Sequence, residues 1–149
     1  CAECSYEGQA AVALELAVAP AERGSYPLAL VAGPTLTLDA RVTVRAVAAD
    51  LAAGVEVARI AARFHNTLAA AGADACRALR ERHGIARVVL SGGVFQNRVL
   101  LEGTAAALER DGFTVLLPQR LPCNDGGISF GQAAVAAARL RGEVSRSCA

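Results

Sequence analysis

Methionine, lysine and tryptophan are absent from this chain, and aromatic residues make up only 4% of its 149 positions. Without a methionine there is no initiator, so the chain is expected to be a piece of a longer reading frame. All 15 basic residues are arginine, which beside the abundant alanine reads as the codon bias of a GC-rich genome and carries no chemistry. With so few rings, the 54% of hydrophobic residues must build a core from alanine, valine and leucine. No run of about 18 apolar residues is free of charge, which excludes a membrane-spanning helix. No amino-terminal stretch has the basic, apolar and cleavage-site order of a signal peptide. A net charge of +1 with interspersed signs excludes the basic stripe of a nucleic-acid surface. A soluble, cytoplasmic protein with reduced thiols is expected. The five cysteines include one close pair, Cys1 and Cys4, but a zinc or redox reading needs a second pair or a βαβ setting around it.

The length fits one domain with a real core. Helical spacing runs from Glu7 to Val18, with Ala10, Leu14 and Ala17 on one face. Two short strands, Tyr26 to Val31 and Thr35 to Asp39, flank a Gly33-Pro34 turn and suggest a hairpin; Asp39 closes the second as a turn residue. A short helix covers Thr43 to Ala53. A long one runs from Val55 to Arg82, with Val57, Ile60, Phe64, Leu68, Ala75 and Leu79 as its apolar stripe. Gly72 interrupts it, marking a bend or tight packing. From Gly84 the order becomes strand (Arg87 to Leu90), helix (Val94 to Glu109), strand (Thr114 to Leu117) and helix (Asp125 to Leu140). That order demands parallel strands. The inner face of the last helix is expected to include Ile128, Phe130, Ala133 and Ala137. Residues 142–149 have no packing pattern and are expected to fray.

Two turns are the candidates for chemistry, and together they make the segment from Arg87 to Gln132 the expected nucleotide- and metal-binding region. The glycine pair of the first is by itself also what a tight strand-to-helix turn requires. Ser91-Gly-Gly-Val-Phe-Gln-Asn97 follows a buried strand and opens a helix. Gly92 and Gly93 let a ligand approach the backbone, with Val94 beside them. The free N–H groups of the following helix favour a phosphate or ribose oxygen. Asn97, one turn into that helix, can both donate and accept. The second turn, Asn124-Asp-Gly-Gly127, places Asp125 at a helix start. There it is either an N-cap or an exposed carboxylate ligand for a hard or borderline cation. Both turns lie at the carboxyl ends of strands, so both can face one cleft. Glu7 is either a first-turn partner of the helix dipole or a cleft residue. His65 and His83 are read as structural, and Cys123 as lacking the base that would activate it.

The strings Tyr6-Glu-Gly-Gln-Ala-Ala11, Ile60-Ala-Ala-Arg-Phe-His65, Ser91-Gly-Gly-Val-Phe-Gln-Asn97 and Asn124-Asp-Gly-Gly127 stand in this order from Tyr6 to about Ala137. Together they resemble the end of the HypF carbamoyltransferases, which mature nickel–iron hydrogenases. The resemblance implies an α/β fold: one lobe of an actin-like ATPase (ribonuclease H-like) domain, a mixed sheet flanked by helices, over residues 1–149. It further implies that Asn97 contacts the nucleoside of carbamoyl adenylate, that Glu7 can face the same cleft, and that Asp125 is a ligand of a divalent metal. The family's histidine pair of further metal ligands is absent, since His65 and His83 stand far apart. The implied chemistry uses carbamoyl phosphate and ATP in upstream modules. The carbamoyl group then passes to the carboxy-terminal cysteine of a HypE-type partner, so this lobe holds no catalytic nucleophile and by itself is expected to be inactive. A small-molecule O-carbamoyltransferase lobe and a non-catalytic interaction lobe of the same fold stand as alternatives.

Overall fold

The computed structural model of the chain describes residues 3–142. Helix α1 (Gln9–Leu16) is entered through Gly8, whose φ of 81° is left-handed. The helix is shorter than its pattern suggests and buries none of its residues. Strands β1 (Ala29–Val31) and β2 (Thr37–Asp39) form the expected antiparallel hairpin, with Leu30 opposite Leu38. Asp39 ends it as a turn residue: its Oδ1 accepts the Arg41 N–H at 3.0 Å at the head of α2 (Arg41–Ala52).

Helix α3 (Val57–His83) is the spine of the fold, stopped by Gly84 in the left-handed region at φ 68°. Its buried face differs from the expected stripe. Ile60 is buried, but Val57 and Leu79 are exposed, and the inner face consists largely of Ala61, Ala62, Ala69, Ala71 and Ala73. The reason is close helix packing against α4 (Arg98–Arg110). A Cβ on Gly103 would lie 3.4 Å from the Ala69 Cβ, and one on Gly72 would lie 3.7 Å from Thr104 Cγ2. Small residues let the two helices approach, which leaves no room for the larger side chains of the stripe. At Gly72 itself the contact is an ordinary one, so packing does not demand a glycine there.

Strands β3 (Arg87–Val89) and β4 (Thr114–Leu116) pair in parallel, Val88 against Val115, with α4 as the crossover between them. Helix α5 (Ile128–Leu140) closes the described chain. Ile128, Phe130, Ala133 and Ala137, expected as its inner face, are all exposed. Instead of one mixed sheet, the described residues form two separate pairs, one antiparallel and one parallel. The apolar core gathers Ala73, Leu90, Leu108 and Phe113, so it sits under the β3–α4–β4 unit. Arg80 stacks over the Phe113 ring at 4.1 Å and donates to the Asp111 carbonyl at 2.7 Å, sealing its edge. Among the described residues no helix is long and apolar enough to cross a membrane. Cys1 of the close cysteine pair and residues 143–149 lie outside the described residues.

Candidate functional site

After β3 the chain buries Leu90 and reaches Gly92, whose φ of 104° lies in the region that only glycine adopts readily. A single 3-10 turn, Gly93–Gln96, follows, and only then does α4 begin. Asn97 is thus the N-cap of α4 and not a residue one turn inside it. Its backbone is extended (φ −71°, ψ 107°) and its Oδ1 accepts the Leu100 N–H at 2.8 Å. Asparagine favours this position because its short side chain satisfies an orphan amide of the first turn.

The start of α4 differs from the expectation of free N–H groups in a second way. Glu15, on α1, accepts the Arg98 N–H at 2.6 Å and lies 3.5 Å from the Val99 nitrogen. The Leu101 N–H is taken by the Asn97 carbonyl at 3.0 Å. The protein's own carboxylate therefore occupies the place where the dipole would draw a phosphate. Sequence reasoning gave Glu15 no role, because its partners lie more than 80 positions away.

His65 also reaches this turn. It is 4% exposed, its Nδ1 lies 2.8 Å from the Ala61 carbonyl, and its Nε2 lies 2.8 Å from Asn97 Nδ2. The reading of His65 as structural holds, and one of its two hydrogen bonds goes to the candidate site. His83 lies in the last turn of α3 with Arg80 and Arg82, the cationic end that the helix dipole favours.

The second turn is built differently from its expected form as well. The capping side chain is Asn124, whose Oδ1 accepts the Gly126 N–H at 3.1 Å, while Asp125 opens a short 3-10 turn ahead of α5. Asp125 is exposed and makes no side-chain hydrogen bond or ion pair among the described residues. Gly127 is required by packing, since a Cβ there would stand 2.7 Å from the Pro122 carbonyl oxygen. The two turns are fastened together: the Gly92 N–H donates to the Cys123 carbonyl at 2.6 Å, with Ser91 Oγ 3.4 Å from the same oxygen. Between them opens a depression of about 410 Å³, lined in part by Ser91, Gly92, Pro122, Asn124 and Asp125. Gly93, Val94 and Asn97 continue from its rim along the first turn, and Val94 is exposed. Glu7 stands exposed in the turn before α1 and does not line this depression.

Among the described residues no cluster of three or more His, Cys, Asp or Glu side chains has the arrangement to hold a metal. An uncommitted Asp125 fits a hard cation as one oxygen ligand, with the others coming from elsewhere. Cys123 contributes its carbonyl to the joint between the turns. Cys76, packed against the core, has its thiol pKa raised by burial, the environment of an inert structural cysteine.

A depression at the carboxyl ends of parallel strands, formed by two glycine-bearing turns, defines the class as an α/β lobe with a cleft where such folds collect their ligands. The family described as "Carbamoyltransferase, Kae1-like Domain, second subdomain" matches residues 1–132. The chain is 38% identical over 132 residues to carbamoyltransferase HypF of Synechocystis sp., covering 87% of this chain and 16% of the relative. It is 40% identical over 142 residues to HypF of Rhodobacter capsulatus, covering 91% and 17%. A crystal structure of full-length HypF in the phosphate- and nucleotide-bound form superimposes with a TM-score of 0.89 at 40% identity, covering 93% of this chain and 18% of that one. The chain belongs to the HypF carbamoyltransferase family, with the Kae1-like fold of its second subdomain. It spans less than a fifth of the length of these relatives.

Proposed function

We propose that residues 1–149 form the second lobe of a carbamoyl-transfer domain, which holds the nucleotide of carbamoyl adenylate while the carbamoyl group moves to a protein thiolate. The observation that carries this reading is the 2.6 Å hydrogen bond from Gly92 to the Cys123 carbonyl, which brings the two glycine-bearing turns to one depression. Gly93 supports it. Its backbone is ordinary and a Cβ there would meet nothing closer than Gln96 Oε1 at 4.0 Å, so the fold does not require glycine at this position. Open space over a bare backbone is what a closely approaching nucleotide uses. The nucleotide bound in the related full-length HypF supports the same ligand class.

In this reading the Gly92-Gly93-Val94 backbone and Asn97 hold the nucleoside, and Glu7, exposed in the turn before α1 and outside the depression, faces the same cleft. Asp125 supplies one ligand to a divalent cation, which when bound polarises the carbamoyl carbonyl as a Lewis acid. The nucleophile is the carboxy-terminal cysteine thiolate of a HypE-type partner. It attacks the carbamoyl carbon, the bond from that carbon to the adenylate oxygen breaks, and AMP leaves with the electron pair. The lobe's own work is to hold the leaving group still and leave the carbon open to a foreign thiol. ATP and carbamoyl phosphate enter through upstream modules of the intact protein, which works in the cytoplasm in the maturation of a nickel–iron hydrogenase.

The test is titration calorimetry with adenine nucleotide on the intact protein. Asn97→Ala is expected to weaken binding about tenfold or more, the range of a lost bidentate contact. Asp125→Asn is expected to abolish carbamoyl transfer while leaving nucleotide binding within about threefold, since one uncharged ligand replaces a charged one at the metal alone. Undiminished binding in the first variant, or full transfer in the second, refutes the corresponding assignment.

A further inference from the structure

We propose that His65 is a positioning residue that sets the base preference of the site by fixing which way the Asn97 amide faces. The proposal rests on the reading of Asn97 as a nucleoside contact, and it adds the element that makes that contact selective.

The orientation of the amide is decided from both ends. On one side stands the Leu100 N–H, a donor, 2.8 Å from the amide, so the atom facing it must be the oxygen. On the other side stands His65. Its Nδ1 is 2.8 Å from the Ala61 carbonyl, which only accepts, so Nδ1 carries the proton. In the neutral ring Nε2 is then an acceptor, and the Asn97 Nδ2 facing it at 2.8 Å donates. Turning the amide over would set its oxygen against the Nε2 lone pair and its NH2 against the Leu100 N–H. Both contacts would become repulsive at once. His65 is 4% exposed, so little water is at hand to relieve them.

An asparagine amide has two N–H donors and two acceptor positions. His65 and Leu100 use one of each, so one donor and one acceptor remain, in a fixed order, on a half-buried residue at the end of the glycine-bearing turn that lines the depression. The other N–H groups at the start of α4 are engaged by Glu15 and by the Asn97 carbonyl, which leaves this amide as the polar handle at the helix start. The major-groove edge of adenine presents a donor at N6 and an acceptor at N7, which matches one acceptor and one donor. Guanine presents two acceptors at O6 and N7, which an amide cannot match in either orientation. Its O6 acceptor beside the N1–H donor is the reverse of adenine's order, which a turned amide would match and a locked one cannot. The ligand class is therefore an adenine nucleotide, selected against guanine by an amide that a buried histidine prevents from flipping.

The experiment uses the full-length protein and titrates ATP and GTP into the wild type and the variants His65→Leu, His65→Gln and Asn97→Ala. The binding that Asn97→Ala removes defines the site. The wild-type site is expected to prefer ATP by about tenfold or more, the discrimination of one bidentate pair. His65→Leu removes the acceptor, and the preference should narrow to within about threefold as the amide becomes free to turn. His65→Gln offers a side-chain oxygen to Asn97 Nδ2, so it should restore most of the preference, which a purely structural role for the ring would not predict. The wild type with 7-deaza-ATP needs no variant to fold: without N7 as acceptor, affinity should fall about tenfold. An unchanged ATP:GTP ratio in a folded His65→Leu protein, with Asn97→Ala still abolishing ATP binding, overturns the role of His65 and leaves the nucleotide site standing. If His65→Leu does not fold, wild-type affinity for 7-deaza-ATP equal to that for ATP overturns it instead. Asn97→Ala binding ATP as the wild type does removes both the site and the proposal.

Discussion

Residues 9–52 and the unit from Leu90 to Phe113 are fastened by different forces. In the first, Tyr26 and Thr43 are the buried residues and α1 buries nothing. What ties this part to α3 is polar. Thr67 Oγ1 accepts the Tyr26 N–H at 2.7 Å, the Tyr26 hydroxyl donates to Asp50 at 2.8 Å, and Arg63 donates to the same carboxylate at 2.8 Å. Glu22 joins Arg59 at 2.9 Å, and within the first region itself Thr43 donates to the Pro27 carbonyl at 2.6 Å. In the second unit, Leu90, Leu108 and Phe113 pack on Ala73 in an apolar core. Directional polar bonds fix orientation and contribute modest net stability, while apolar burial supplies most of the free energy. The contrast matches the site. Its two turns grow out of the apolar unit, whereas Glu15 and His65, which decide what the first turn can offer a ligand, come from the helices beneath and beside it.

The contrast breaks most sharply at Leu108, which is fully buried at 0% exposure. Leu108→Ala should cost about 3 kcal/mol, lost transfer energy plus a cavity, seen as a lower denaturant midpoint at unchanged slope. A cost near zero would mean that the apolar unit is not what holds the chain together. On the polar side, Tyr26→Phe removes the bond to Asp50 and should cost about 1 kcal/mol, since Arg63 still pairs with that carboxylate. A loss as large as that at Leu108 would erase the distinction between the two regions.

The smallest effect is the pH dependence of the polar fastening. The Gly24 N–H, and then Arg59, hold the Glu22 carboxyl down at about 2, against an ordinary value of 4.5. A carboxyl depressed by folding stabilises the protein fully above the unfolded value, and that contribution fades as pH falls towards the folded one. The difference in denaturation midpoint between wild type and Glu22→Gln should therefore be constant above about pH 5 and shrink between about pH 4.5 and 2. A difference that does not change through that window would show that Glu22 acts by shape and not by charge.

Much of the local structure was legible beforehand. The hairpin around Gly33-Pro34, the turn role of Asp39, the parallel pairing of β3 and β4, and the meeting of the two glycine-bearing turns all follow from turn chemistry and element order. The α3 face was misread because apolar periodicity favours large side chains, whereas α4 approaches closely enough to bury alanines and leave Val57 and Leu79 exposed. The α5 face was misread because its period shows that a face exists and not that this chain covers it. The two helix starts were placed early, at Val94 instead of Arg98 and at Asp125 instead of Ile128. A capping asparagine and a 3-10 turn shift a helix start without changing its composition.

The order of strand, glycine turn and helix start in the Arg87–Gln132 segment is read from neighbouring residues, and the family from the resemblance of four short strings, later shown by the matching family and relatives. Three facts were decided by the tertiary structure: Glu15 accepts the Arg98 N–H at the start of α4, His65 meets the Asn97 amide, and Asp125 makes no side-chain hydrogen bond or ion pair among the described residues. The first two depend on contacts across 83 and 32 positions, and the third on the lack of any such contact. A hydrogen bond of that span has no signature in the residues beside it. It exists only once α1, α3 and α4 have packed.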